Sequence, residues 1–95
     1  MAIVMIMEWP DVDLAGYEGV KDVTNFENDI PPGGMFHVAA LDGTTVRVID
    51  VWESAELFQS FVENKLMPAT KDLGISSQPV VKILPAHSIV APAYQ

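Results

Sequence analysis

Cysteine is missing from this chain, so neither a disulfide nor a thiolate metal site is open to it. Small secreted domains usually need such bridges, and the cytoplasm is therefore the expected compartment. Basic residues are scarce, 5 against 13 acidic ones, which leaves a net charge of −8. No two of Lys21, Arg47, Lys65, Lys71 and Lys82 adjoin, so nucleic acid is a poor partner and an anionic membrane finds no basic cluster to attract. Long apolar runs are absent too. The first one, Ala2 to Met7, is too short for a signal segment or a membrane span. No glycine-rich phosphate loop is present, because Gly33-Gly34 precedes a strand pattern instead of a helix N-terminus. No serine has the spacing of a hydrolase nucleophile elbow, and no repeat or low-complexity stretch occurs.

Apolar side chains are what the chain has in excess: 49% of its 95 residues are hydrophobic and only 19% charged. A chain of this length buries about 60 to 65% of its unfolded surface around a single core, so residues 1–95 form one domain. The surplus apolar surface is expected to meet a second copy, making the protein a homodimer.

Ala2 to Glu8 reads as a central strand covered on both faces, ended by Trp9-Pro10-Asp11. Asp13 can cap a helix running to about Asn25, with Leu14, Tyr17, Val20 and Val23 or Thr24 on its apolar side. Glu27 to Gly34 is a loop. Met35 to Leu41 and Thr44 to Trp52 then form a hairpin around a two-residue Asp42-Gly43 turn, which sets Leu41 opposite Thr44 and His37 opposite Val48. Met35, His37, Ala39, Val46, Val48, Asp50 and Trp52 share one face of that hairpin. Phe36, Val38, Arg47, Ile49 and Val51 share the other, and both faces are mostly apolar.

Ser54 is an N-cap, with Glu56 in the first turn of a helix whose stripe is Leu57, Phe58, Phe61, Val62, Leu66 and Ala69. Pro68 should kink or interrupt it near Met67, and Gly74 should end it. Val80 to Leu84 is a last strand placed at an edge by Pro85, and the apolar tail from Ala86 to Gln95 is long enough to reach across a partner subunit. The order βαββαβ with short connections predicts an α+β, ferredoxin-like antiparallel sheet with its helices on one face. The other apolar face is then left to stack on a twin.

Val51-Trp52-Glu53-Ser54, followed by Glu56, Phe58 and Phe61, resembles the strand-end Trp-Glu-Ser and second helix of the dimeric α/β-barrel proteins related to antibiotic-biosynthesis monooxygenases. Element order and length extend the resemblance over most of the chain. It implies a dimeric α/β barrel, and it implies a choice among cofactor-independent oxygenases of aromatics, cyclases, haem-degrading enzymes and proteins of unknown role. Haem-degrading members carry a histidine on the second helix; no histidine lies between Trp52 and Pro85 here, which removes haem ligation by that route.

His37 and Asp50, on one hairpin face, can act as a general base and the carboxylate that orients it, or can satisfy each other structurally. Trp52 can stack on a flat ligand or close the core; Tyr17 can donate to an oxyanion or pack. His87 is either a second base or a tail residue at the dimer contact. Arg47 pairs with an acid across the dimer or binds a ligand carboxylate. Two histidines fall short of a metal site, and no cofactor is expected. The expected activity is that of a cofactor-independent monooxygenase or cyclase-like enzyme on a hydrophobic aromatic molecule; the alternative is a non-catalytic small-molecule-binding or assembly module.

Overall fold

Strand β1, Ile3–Pro10, lies at the centre of a four-stranded antiparallel sheet. A computed structural model describes residues 1–90, so the final stretch of the predicted tail lies outside the described residues. After β1 come α1 (Leu14–Thr24), β2 (Gly34–Asp42), β3 (Thr45–Trp52), α2 (Ala55–Phe61), a π-helical turn (Val62–Leu66), α3 (Met67–Asp72) and β4 (Val80–Pro85). The spatial order β2-β3-β1-β4 is the ferredoxin-like arrangement expected from the element order. No helix among the described residues is long and apolar enough to cross a membrane.

β1 runs further than the sequence suggested. Trp9 and Pro10 continue the strand opposite Val46 and Thr45, because a proline at the last rung gives up a donor that the ladder no longer needs. The chain bends only afterwards, at Asp11, whose φ is 60°. Side chains on β1 alternate: Ile3, Met5, Met7 and Trp9 are buried, whereas Val4 and Ile6 are half-buried on the opposite face.

The hairpin turn also differs. Asp42 pairs with Thr45, leaving Gly43 and Thr44 as the two loop residues, and only Gly43 has positive φ, at 62°. Positive φ at the first loop position alone is the type II′ pattern, whereas the Asp-Gly turn predicted from the sequence would be type I′. The register moves by two residues, so Leu41 faces Val46 and His37 faces Asp50 directly. A shift of two keeps every side chain on its predicted face, since the period of a strand is two. Met35 is the exception: a bulge between Gly34 and Phe36 takes it out of register.

Asp13 caps α1 by accepting from the Gly16 N–H at 2.8 Å, and Asn25 ends it in left-handed conformation. Val20 and Thr24 are the buried residues of this helix and Tyr17 is half-buried. Leu14 and Val23, expected on the same stripe, are instead 56% and 52% exposed. Ser54 caps α2 through the Leu57 N–H, as expected.

Pro68 interrupts the second helix as expected, with α2 ending at Phe61 and α3 starting at Met67. The turn before the proline widens, and the Met67 N–H reaches the Val62 carbonyl five residues back. Proline both lacks a donor and crowds the carbonyl four residues earlier, and a π turn relieves both faults. The wider turn brings Phe61 and Leu66, five apart, onto one side. Gly74 closes α3: its N–H meets the Lys71 carbonyl and the Ile75 N–H meets that of Thr70, a Schellman pair.

The core is built between the helices and one sheet face, from Met5, Met7, Trp9, Val46, Val48, Trp52, Phe58 and Leu66 among others. The outer sheet face carries Val38 (44% exposed), Ile49 (45%) and Leu84 (40%). At one corner of that face Arg47 binds both Glu8 and Asp42.

Candidate active site

The cross-strand rung that pairs His37 with Asp50 continues through Met5 to Ile83, so both polar residues open onto the helix-covered face. His37 Nδ1 lies 2.6 Å from Asp50 Oδ1. A carboxylate only accepts, so Nδ1 carries the proton and donates it, and in the neutral ring Nε2 keeps its lone pair. The hydroxyl of Tyr17 sits 2.7 Å from that Nε2 and donates to it. On the far side of Asp50, the indole N–H of Trp52 donates to Oδ2 at 3.1 Å. Four side chains from α1, β2 and β3 thus form one hydrogen-bond chain, Tyr17–His37–Asp50–Trp52.

Packing holds the chain in place. Trp52 is 3% exposed, and Phe58 and Phe61 of α2 each lie 5.5 Å from it, ring centre to ring centre. Such aromatic pairs contribute about 0.5 to 1.5 kcal/mol each beyond the area they bury. Asp50, also buried, satisfies both its oxygens with N–H donors, which offsets the cost of taking a carboxylate out of water. Phe26 meets the His37 ring edge-on at 4.8 Å. Burial is the main cause that raises the Tyr17 phenol above its ordinary range; Lys21 opposes the shift, and Glu18, Asp50 and Glu27 add to it. Tyr17 therefore stays a neutral donor across the physiological range. Lys21 also pairs with Glu18 on α1 and with Glu27 on the following loop, 2.8 and 3.4 Å away, and so ties that loop to the helix beside Tyr17.

A cavity of about 210 Å³ opens between sheet and helices against this chain. His37, Tyr17, Asp50 and Trp52 line it together with apolar residues such as Met7, Val48 and Leu66. Four of the six residues singled out from sequence are thereby brought together. His87 is not: β3 and β1 separate β4 from β2, and His87 lies exposed beyond the last residue of β4, outside the cavity lining. Arg47 sits on the outer face, bound within its own subunit to Glu8 and Asp42. Trp52 is 3% exposed and packs against Phe58 and Phe61, while still contributing to the cavity lining. Phe26 is the residue that sequence reasoning missed. It lies at the start of an irregular loop, with only its aromatic character to mark it. Among the described residues no group of three or more His, Cys, Asp or Glu side chains is placed to hold a metal ion.

No protein-family model and no curated protein sequence matches the chain. Solved structures do match it in fold. SnoaB, a cofactor-independent oxygenase from Streptomyces nogalater crystallised as a point variant, aligns over 94% of this chain and 96% of its own, with a TM-score of 0.68 and 16% identity. A protein of unknown function from Nitrosomonas europaea aligns over 97% and 95%, with a TM-score of 0.74 and 15% identity. A candidate antibiotic biosynthesis monooxygenase from Caulobacter crescentus aligns over 92% and 91%, at 0.67 and 14%. This chain therefore has the ferredoxin-like α+β fold shared by the antibiotic-biosynthesis-monooxygenase-like proteins.

Proposed function

We propose that the protein is a cofactor-independent oxygenase acting on a hydroxylated aromatic molecule, with His37 as general base. The observation that carries this reading is the Tyr17–His37–Asp50 chain, anchored on the buried Asp50, in the wall of an otherwise apolar cavity. Polar residues inside an apolar site are costly unless they serve a purpose, and this set has the geometry of a proton relay. As the ligand hydroxyl gives its proton to the Tyr17 oxygen, Tyr17 passes its own to His37 Nε2. Asp50 holds the ring and stabilises the imidazolium that forms. The resulting phenolate is electron-rich and reacts with dioxygen, the external oxidant, needing no resident redox group. One oxygen atom enters the ring to give a quinone, the other leaves as water, and a phenol plus dioxygen balances a quinone plus water. The cofactor-independent oxygenase among the structures of the same fold supports this chemistry.

Oxygen consumption across a panel of hydroxylated aromatics tests the assignment. His37→Ala should lower the rate by roughly a hundredfold or more while circular dichroism stays native. Turnover unchanged by that substitution would remove His37 from the chemistry.

We propose further that two copies pair through the outer sheet face. Its exposed Val38, Ile49 and Leu84 support this, because the helices among the described residues pack on the opposite face.

A further inference from the structure

The cavity has a size and a charge as well as a base. At about 210 Å³ it exceeds the apolar cavity of about 150 Å³ that takes up benzene. It falls short of the roughly 300 to 1,000 Å³ of pockets built for larger ligands. One or two fused rings fit that space, and four do not. The polar groups gather at the His37–Asp50 rung, and the space runs on from there over apolar side chains to Trp9 and Val46, four residues along β1 and β3. A ligand thus needs a hydroxyl at one end only.

Charge narrows the choice further. The chain has five cations in all, Lys21, Arg47, Lys65, Lys71 and Lys82, and none lines the cavity. Arg47 and Lys82 belong to the outer sheet face, Lys65 and Lys71 are exposed on the π turn and α3, and Lys21 is held by Glu18 and Glu27. The wall instead contains the Asp50 carboxylate, and at Tyr17 the field of Lys21, the largest there, is opposed by those of Glu18, Asp50 and Glu27. A ligand carboxylate would enter an apolar space with no counter-ion and like charge beside it.

We propose that the cavity takes an uncharged, hydroxyl-bearing aromatic of one or two fused rings and rejects ring compounds of the same size that carry a carboxylate. The proposal rests on the reading of this cavity as the substrate site and adds selection by charge and size.

Isothermal titration calorimetry of the full chain at neutral pH tests it with 2-naphthol, naphthalene, 2-naphthoate and a hydroxylated naphthacene as probes. 2-Naphthol should bind at least about tenfold more tightly than 2-naphthoate, and the naphthacene should not bind. Tyr17→Phe, which keeps the ring and removes the hydroxyl, should abolish most of the preference for 2-naphthol over naphthalene. Equal or tighter binding of 2-naphthoate, or binding of the four-ring probe, overturns the proposal, as does the failure of all four to bind. Selective 2-naphthol binding with no oxygen consumed would defeat the oxygenase reading and leave this one standing. Turnover of a carboxylated substrate would do the reverse.

Discussion

Tyr17 is where bulk pH reaches the candidate site. Burial raises its phenol above the ordinary value of 10.0, so the fold favours the neutral form. Below that value the residue is neutral in both folded and unfolded chains and adds no pH dependence. Above it the unfolded chain loses the proton first, so stability falls as pH climbs from about 10 through the folded-state value. Urea unfolding followed from about pH 9 to about pH 11 should show this decline, and Tyr17→Phe should flatten it. An equal decline in both proteins would mean that Tyr17 is not desolvated as described. Asp50→Asn should cost activity on the order of a hundredfold with the fold retained, since an amide can still meet Trp52 but cannot stabilise an imidazolium. The pairing of these residues was legible in the sequence for a simple reason: the hairpin face of His37 and Asp50 depends only on parity, which the two-residue register error left intact. Contact between Tyr17 and His37 was not legible. It depends on how far α1 slides along the sheet, and local pattern does not encode that.

At the scale of elements, the loop before β2 is fitted tightly under α2. A Cβ built on Gly33, whose φ is 87°, would lie 2.6 Å from Leu57 Cδ1 and 2.8 Å from Leu57 Cβ, whereas one on Gly43 at the hairpin tip would meet nothing within 4 Å. Gly43→Ala should therefore cost only the left-handed backbone penalty, about 1 kcal/mol. Gly33→Ala adds overpacking and should cost about 3 kcal/mol in denaturant titrations. Equal losses at the two positions would contradict the close packing of α2 on this loop. The sequence pattern failed at element boundaries where two local signals competed. Asp-Gly usually marks the centre of a hairpin turn, yet here Asp42 stays in the ladder and Thr44 joins Gly43 in the loop. Pro68 announced a disturbance but not its form, because a kink and a π turn answer the same lost donor.

For the whole molecule, the question is what meets the outer sheet face. Composition pointed to it from the start: more apolar surface than one small core can hide, on strands apolar on both sides. Native mass spectrometry should report a dimer at micromolar concentration. Ile49→Glu, on the outer face and remote from the cavity side of β3, should shift the population to monomer while leaving the helix-covered core folded. A wild-type monomer, or a dimer indifferent to that charge, would refute pairing through this face.

The hydrogen bond from Trp52 to Asp50 has an optical consequence. Indole emission responds to charge and to the bonding of its ring nitrogen, and here that nitrogen touches the carboxylate on which the proposed base depends. The chain has two tryptophans, and the other, Trp9, donates its N–H to the Ser77 carbonyl. With Trp9→Phe the remaining emitter is bonded to the carboxylate at the end of the proton relay. Arrival of a guest, or the movement of one proton beside it, would then be read as a change in colour and lifetime with no label attached.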